Sequence, residues 1–306
     1  MSGRVRIGID LGGTKIEGIA LDGSREMGRI RVATPRDDYA ATVDAIASIV
    51  EALDRRIGTV ASVGVGIPGA LATVTGLVKN ANSVWLIGRP LLGDLETRLG
   101  RQVRMANDAD CFALSEAADG AGAGADVVFG VIIGTGTGGG IVVRGGLVTG
   151  PNRVAGEWGH NPLPWPSDDE RPGPECYCGR HGCIERFLSG PGMQADYQRA
   201  SGREEEPVTI VTDAAAGDPV ARDTVGRYEA RMARALAGII NVLDPDVIVL
   251  GGGMSKIESL YDHVPSLWEP FVFGASGVYP VQTRLVPARH GDSSGVRGAA
   301  WLWPTE

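Results

Sequence analysis

The chain has 306 residues, 43% hydrophobic and 22% charged, with a formal net charge of −8. This is the composition of an ordinary globular protein, long enough for two domains or one large one. The acidic balance gives no general pull toward nucleic acid. No run of about 18 apolar residues occurs, so no membrane partner is expected. Met1-Ser2-Gly3-Arg4 leads straight into an apolar pattern with no signal-peptide core, so a cytoplasmic location is expected.

Residues 5–11 read as a buried strand, followed by Gly12-Gly13-Thr14-Lys15, a second strand over 16–21 and a third near 28–33. Helical spacing runs from 37 to 56, where Val43, Ile46, Ala47, Val50 and Leu53 share one face. An apolar strand over 60–67 breaks at Pro68-Gly69. A short helix near 91–99, a strand at 103–105 ending in Asn107-Asp108, and a helix over 109–118 follow.

The second half opens in the same way. A strand over 127–133 leads into the glycine-rich stretch 134–140, read as a loop, and then a strand at 141–143. A long helix over about 219–243, a strand at 247–250 and the turn Gly251-Gly252-Gly253 come later. Strand, glycine loop and strand therefore occur twice, which predicts a duplicated α/β architecture with a cleft between the halves. The expected division is a smaller N-terminal α/β domain, 1–118, joined by a C-terminal helix at about 293–303. The larger domain, 119–292, carries the loop 160–185. The small-residue stretch 118–124 suits a hinge.

Gly134-x-Gly136-x-x-Gly139 matches the dinucleotide-binding spacing, but that fingerprint needs a helix directly after the loop, and the β-branched run at 141–143 favours a strand. An NAD-linked oxidoreductase is disfavoured on that ground. Nor is there a Walker A motif, because none of the three lysines follows a glycine. Two glycine-rich hairpins are a different phosphate device, in which turn N–H groups form an anion-binding nest. On this reading the first hairpin presents Asp10, Gly12, Gly13, Thr14 and Lys15 to ATP. The second presents Gly134, Thr135, Gly136, Thr137, Gly138 and Gly139. Asp10 would orient a hydrated Mg²⁺. Asp108, between a strand and a helix, suits a base for a sugar hydroxyl attacking a γ-phosphate, although Asn107-Asp108 is equally a helix-capping pair.

Three of the four cysteines, Cys176, Cys178 and Cys183, fall within eight residues. In a cytoplasmic enzyme such a cluster suggests metal more than disulfide. Three thiolates need a fourth ligand for tetrahedral zinc. His160 and His181 are the candidates, with His160 favoured because His181 lies inside the short loop between Cys178 and Cys183. With all four positions filled by protein, the zinc would be structural. Cys111, on an apolar helical face, reads as a buried hydrophobe.

Together these residues resemble the ROK family of bacterial sugar kinases. The likeness rests on Asp10 to Lys15, Gly66-Ile67-Pro68-Gly69, Asn107-Asp108, the 134–140 glycines, Glu157-x-Gly159-His160, Cys-x-Cys-Gly-x-x-Gly-Cys-x-Glu at 176–185, and Gly251 to Gly253. It covers essentially the whole chain and implies the actin/hexokinase-like (ribonuclease H-like) ATPase fold. It further implies Asp108 as catalytic base, and Asn107, Glu157, His160 and Glu185 on sugar hydroxyls, with Gly69 beside them. Gly252 and Gly253 would lie at ATP, zinc would be held by His160, Cys176, Cys178 and Cys183, and the family expectation is a homodimer.

Within the family, residues 78–83, 156–165 and the ending 290–304 look like bacterial fructokinases, so phosphorylation of D-fructose is expected, with weaker use of mannose or glucose. A glucokinase or N-acetylhexosamine kinase is the alternative. A ROK-type repressor is disfavoured because the first phosphate strand begins at Val5, leaving no helix-turn-helix before it. Tyr177 stands where many members have glycine, a departure expected not to touch a proposed ligand.

Overall fold

The computed structural model describes residues 5–304, so Met1 to Arg4, read above as lacking a signal segment, lie outside the described residues. In chain order the elements are β1 (Arg6–Leu11), β2 (Lys15–Asp22), β3 (Arg25–Ala33), α1 (Tyr39–Ile57) and β4 (Ser62–Ile67). The short strands β5 (Ala70–Leu71) and β6 (Val78–Lys79) precede α2 (Leu91–Leu99), β7 (Val103–Asn107) and α3 (Asp108–Ala118). Then come β8 (Val127–Ile133), β9 (Thr137–Val143), β10 (Gly146–Leu147), α4 (Glu185–Leu188), α5 (Gly190–Ser201), α6 (Pro207–Ala216) and α7 (Pro219–Leu243). The chain closes with β11 (Val247–Gly251), α8 (Leu260–Trp268), β12 (Arg284–Pro287) and α9 (Ser294–Trp301).

Two five-stranded sheets share one plan. The first has the order β3-β2-β1-β4-β7 and the second β10-β9-β8-β11-β12. In the first, β2 is antiparallel to β1 and β3, while β1, β4 and β7 run parallel. In the second, β8, β11 and β12 run parallel. Parallel strands covered on both faces read as continuous apolar runs, and β4 and β11 are buried at every position.

The chain divides into two compact units. One is Met1–Gly124 with Gly140–Ala155 and Arg289–Glu306; the other is Ala125–Gly139 with Gly156–Ala288. Residues 119–124, 140–155 and 289–292, assigned above to the larger domain, thus lie with the first unit. The reason is visible at Gly140, where a Cβ would stand 2.6 Å from the Ala109 carbonyl oxygen of α3.

In the first unit, α1 presents Val43, Ile46, Val50 and Leu53 to a cluster with Ile7 and Ile9 of β1 and Val63 and Val65 of β4. Asp38 caps its start and Gly58, in the left-handed region, ends it. The opposite side is covered by α9, whose Val296 and Ala300 bury Ile19 and Leu21 of β2. In the second unit, α7 begins at Asp218 and Pro219 and packs with α5, α6 and α8.

The structure moves one strand boundary that matters. Gly138, Gly139 and Gly140 are not loop: β9 already begins at Thr137, so the second glycine-rich loop is a tight turn of Gly134, Thr135 and Gly136. The Gly134 N–H donates to the Gly136 carbonyl at 2.9 Å, and that early closure lets the strand start sooner than β-branched spacing suggests. A strand, not a helix, follows the turn, which removes the support for the dinucleotide reading.

Candidate functional site

In the first unit, parallel pairing aligns Asp10 with Gly66 and Ile67 with Asn107. Three connections therefore leave the carboxyl ends of adjacent strands: Asp10 to Lys15 after β1, Pro68-Gly69 after β4, and Asn107-Asp108 after β7. In open α/β sheets that edge is where ligands bind. Between β1 and β2 the Gly12 N–H donates to the Lys15 carbonyl at 3.0 Å, and a Cβ at Gly12 would lie 2.9 Å from that oxygen. Thr34 Oγ1 donates to the Gly12 carbonyl at 2.7 Å, and Arg36 Nε to the Gly13 carbonyl at 3.0 Å, bracing the turn from outside. The Lys15 ammonium lies 3.8 Å from Glu17, a buried carboxylate also held by Arg29 and Arg31.

Asn107 is the N-cap of α3. Its Oδ1 accepts the Ala109 N–H at 2.8 Å and its Nδ2 donates to the Gly69 carbonyl at 3.1 Å. Gly69 has φ +90°, and a Cβ there would meet the Lys79 carbonyl oxygen at 2.4 Å, so the turn requires glycine. Asp108 follows as the first helical residue, its Oδ1 also accepting the Ala109 N–H at 2.8 Å. Burial, then the charges of Asp108 and Glu17, push the Asp10 carboxyl up to about 6, against a smaller opposing pull from Lys15. A group of oxygen donors carrying crowded negative charge suits a hard cation such as Mg²⁺.

In the second unit, Gly251 pairs with Ile132, so the turn after β11 stands beside the end of β8. Gly252 has φ +84° and a Cβ there would lie 2.3 Å from the Ile133 carbonyl oxygen. Close by, the Thr137 N–H donates to Glu185 Oε2 at 2.9 Å, and the same oxygen is 2.7 Å from where a Gly136 Cβ would be. Glu185 is therefore a buried partner of the glycine turn. That contact joins residues 48 apart, and nothing in their local spacing reveals it. The Gly190 N–H at the start of α5 donates to the Gly134 carbonyl at 2.8 Å. The local signal for this helix start is Ser189-Gly190-Pro191, an N-cap serine followed by proline in the first turn.

Glu157 is exposed and begins a short turn through His160. Gly159 lets that turn lie on β9, since a Cβ there would be 2.1 Å from the Thr137 carbonyl oxygen. Trp158 Nε1 donates to the Gly138 carbonyl at 3.1 Å and its ring meets Phe129 edge-on. Beside this turn, ligand atoms of His160, Cys176, Cys178 and Cys183 all lie within 4.8 Å of one another. His160 rather than His181 completes the group; His181 is exposed and its backbone bridges to Glu175.

Cys178 and Cys183 sulfurs are 3.6 Å apart, and Cys176 Sγ is 3.7 Å from His160 Nδ1. Zinc–thiolate bonds of about 2.3 Å in a tetrahedron span edges of roughly 3.8 Å, so the spacing and the S₃N donor set fit zinc. Burial holds the Cys183 thiol up at about 12, while a hydrogen bond from the Arg180 backbone lowers Cys178. The expectation that Tyr177 touches no proposed ligand is overturned: its hydroxyl is 2.9 Å from His160 Nε2. The phenol reaches back across Cys176, a contact that the alternation of cysteines does not announce.

The description matching this chain is the ROK family model, over residues 6–306. The chain belongs to the ROK family. An N-acetyl-D-glucosamine kinase of Vibrio cholerae is 41% identical over 96% of this chain and 98% of that protein. Among solved structures, a ROK hexokinase from Thermus thermophilus has a TM-score of 0.86 at 31% identity, covering 97% of each chain. A ROK family glucokinase from Streptomyces griseus, in complex with glucose and AMPPNP, has a TM-score of 0.75 at 30% identity over 97% of this chain and 98% of that one. The fold is accordingly the actin/hexokinase-like α/β fold of this family.

Proposed function

We propose that this ROK protein transfers the γ-phosphoryl group of ATP to the 6-hydroxyl of a hexose, with N-acetyl-D-glucosamine as the first acceptor to test. The observation that carries the reading is Asp108 at the start of α3, set with Asp10 and the Gly12–Lys15 turn along the carboxyl edge of the parallel strands β1, β4 and β7. Asp108 accepts the hydroxyl proton as the oxygen attacks phosphorus. Gly12, Gly13 and Thr14, and in the second unit Gly134 to Gly139 with Gly252 and Gly253, offer backbone N–H groups and close approach to phosphates. Lys15 adds charge near them. Mg²⁺, held near Asp10, would neutralise phosphate charge when bound.

Asn107, Gly69, Glu157, His160 and Glu185 hold the sugar hydroxyls. Zinc on His160, Cys176, Cys178 and Cys183 would brace the Glu157–His160 turn against the cysteine loop without activating water, because all four positions are protein ligands. The curated relatives support the N-acetylglucosamine reading. D-Fructose is the second reading, favoured by residues 78–83, 156–165 and 290–304. Hexoses differ by one or two hydroxyls, so identity near 40% sets the reaction class more firmly than the acceptor. A coupled ADP-release assay over N-acetylglucosamine, fructose, mannose and glucose decides between them. Turnover with none of these sugars overturns the kinase reading, and a preference for fructose replaces the first acceptor with the second.

A further inference from the structure

The segment from His160 to Glu185 leaves and rejoins the second unit through a narrow neck. Pro162 bridges to Cys183, the Leu163 N–H donates to the Gly182 carbonyl at 2.8 Å, and the Ile184 N–H donates to the Asn161 carbonyl at 2.9 Å. His160 stands immediately before the neck and Glu185 immediately after it. Gly173 packs against the same neck, where a Cβ would lie 2.5 Å from the Gly182 Cα. The four metal ligands all fall inside this segment. A bound zinc therefore crosslinks the segment to itself and does not attach it to α7.

A different group makes that attachment. Glu170, in the turn Asp168–Glu170, is 7% exposed and its carboxylate meets α7. Arg234 donates to it from both terminal nitrogens, at 2.8 Å and 2.9 Å, and Arg231 Nε donates at 2.7 Å. The Ser167 N–H supplies a fourth bond at 2.9 Å. Arg234 also donates to the Trp165 carbonyl, two residues beyond Leu163 of the neck. Burial opposes ionisation here, yet the hydrogen bonds of Arg234 and Arg231 hold the Glu170 carboxyl down at about 2. Arg231 is itself buried and reaches Asp196 of α5 at 3.2 Å. A buried ion pair gives little net stability over apolar side chains of equal size. Its two-pronged bonds do impose one geometry.

We propose that Glu170 is a positioning residue for the sugar: through Arg231 and Arg234 it fixes the neck on α7 and so sets where His160 and Glu185 stand. The proposal rests on the kinase reading above. Its effect belongs in sugar affinity and not in ATP affinity, because the clamped segment is the one that carries the sugar contacts. Nor does it belong in metal affinity, since all four ligands move together with the segment.

The test compares zinc-loaded wild type with Glu170→Gln, which keeps the length of the side chain and removes its charge. Met232→Ala, at a fully buried position of α7, serves as the control for lost stability. Calorimetric titration measures AMPPNP and the acceptor preferred in the coupled assay, and competition with a chromophoric chelator measures zinc. Glu170→Gln should weaken sugar binding at least about tenfold, as displaced positioning groups do, with AMPPNP and zinc affinities unchanged. Met232→Ala should lower the denaturant midpoint and leave all three affinities unchanged. Arg234→Lys keeps the charge and loses the two-pronged contact. It should weaken sugar binding in the same selective way, and it decides the matter if Glu170→Gln does not fold. Unchanged sugar affinity overturns the proposal. So does an equal loss in Met232→Ala, which would make the effect one of stability. A loss of zinc in step with sugar overturns it too, because the clamp would then only support the segment's own fold. A wild type that binds none of the four sugars ends the kinase reading before any variant is compared, and this proposal falls with it.

Discussion

Asp10 sits where burial and two neighbouring carboxylates, Asp108 and Glu17, all oppose its ionisation. Its carboxyl is raised from 3.8 to about 6, so the native state holds a proton that the unfolded chain has lost between those values. Stability from this group is therefore full below pH 3.8 and is lost as pH rises through about 6. Asp10→Asn removes the charge, and its thermal midpoint should exceed that of wild type at pH 7.5, by at most about 3 kcal/mol in stability. The gap should close as pH falls toward 4; a gap independent of pH would count against this account. At Asp108 the expected loss is chemical. Asp108→Asn keeps the size of the side chain, and kcat should fall on the order of 10²–10⁴-fold with the fold and metal content unchanged. Stopped-flow or coupled kinetics beside circular dichroism checks both halves of that statement.

At the scale of elements, the first unit is held together by glycines that let backbone meet backbone. A Cβ at Gly8 would stand 2.1 Å from the Val296 carbonyl oxygen, one at Gly64 1.9 Å from that of Ala299, and one at Gly298 1.6 Å from that of Cys111. α9 is thereby pressed onto β1, β4 and α3 at once. Gly298→Ala should destabilise by about 3 kcal/mol or more, because backbone on both sides must yield. Gly58→Ala meets nothing within 4 Å and strains only its φ of +71°, so about 1 kcal/mol is expected. Denaturant midpoints of the two variants, measured side by side, test whether close packing or turn geometry governs this region. The helix itself was legible at 293–303, and α1 and α7 were legible from their apolar period and caps. α8 was not, since Pro265 interrupts its pattern, and β12 is only four residues long.

For the whole molecule, the two units carry different parts of the proposed chemistry. The first holds Asp10, Gly69, Asn107 and Asp108; the second holds the Gly134 turn, Glu185 and the cysteine loop. Removing metal with a chelator should disturb the cysteine loop first. Sugar affinity should fall on the order of tenfold or more, as misplacement of positioning groups does, while AMPPNP affinity changes far less. Calorimetric titration of each ligand into stripped and reloaded protein measures this, and equal losses for both ligands would refute a local role for the metal. Among the described residues no helix is long and apolar enough to cross a membrane.

Local spacing alone determined the strands that open each half, the amphipathic helices, the first glycine turn and the cysteine cluster, because each depends on neighbours within a few residues. The motif residues were nameable for the same reason. Tertiary structure decided which of them meet. The parallel order β1-β4-β7 puts Asp10, Gly69 and Asn107 along one edge, although 97 positions separate the first and last. The early start of β9 brings the Thr137 N–H to Glu185, and the folding back of the 160–183 loop sets Tyr177 on His160. Strand order, register and loop closure are long-range choices made by burial and backbone hydrogen bonding, and no short window of sequence contains them.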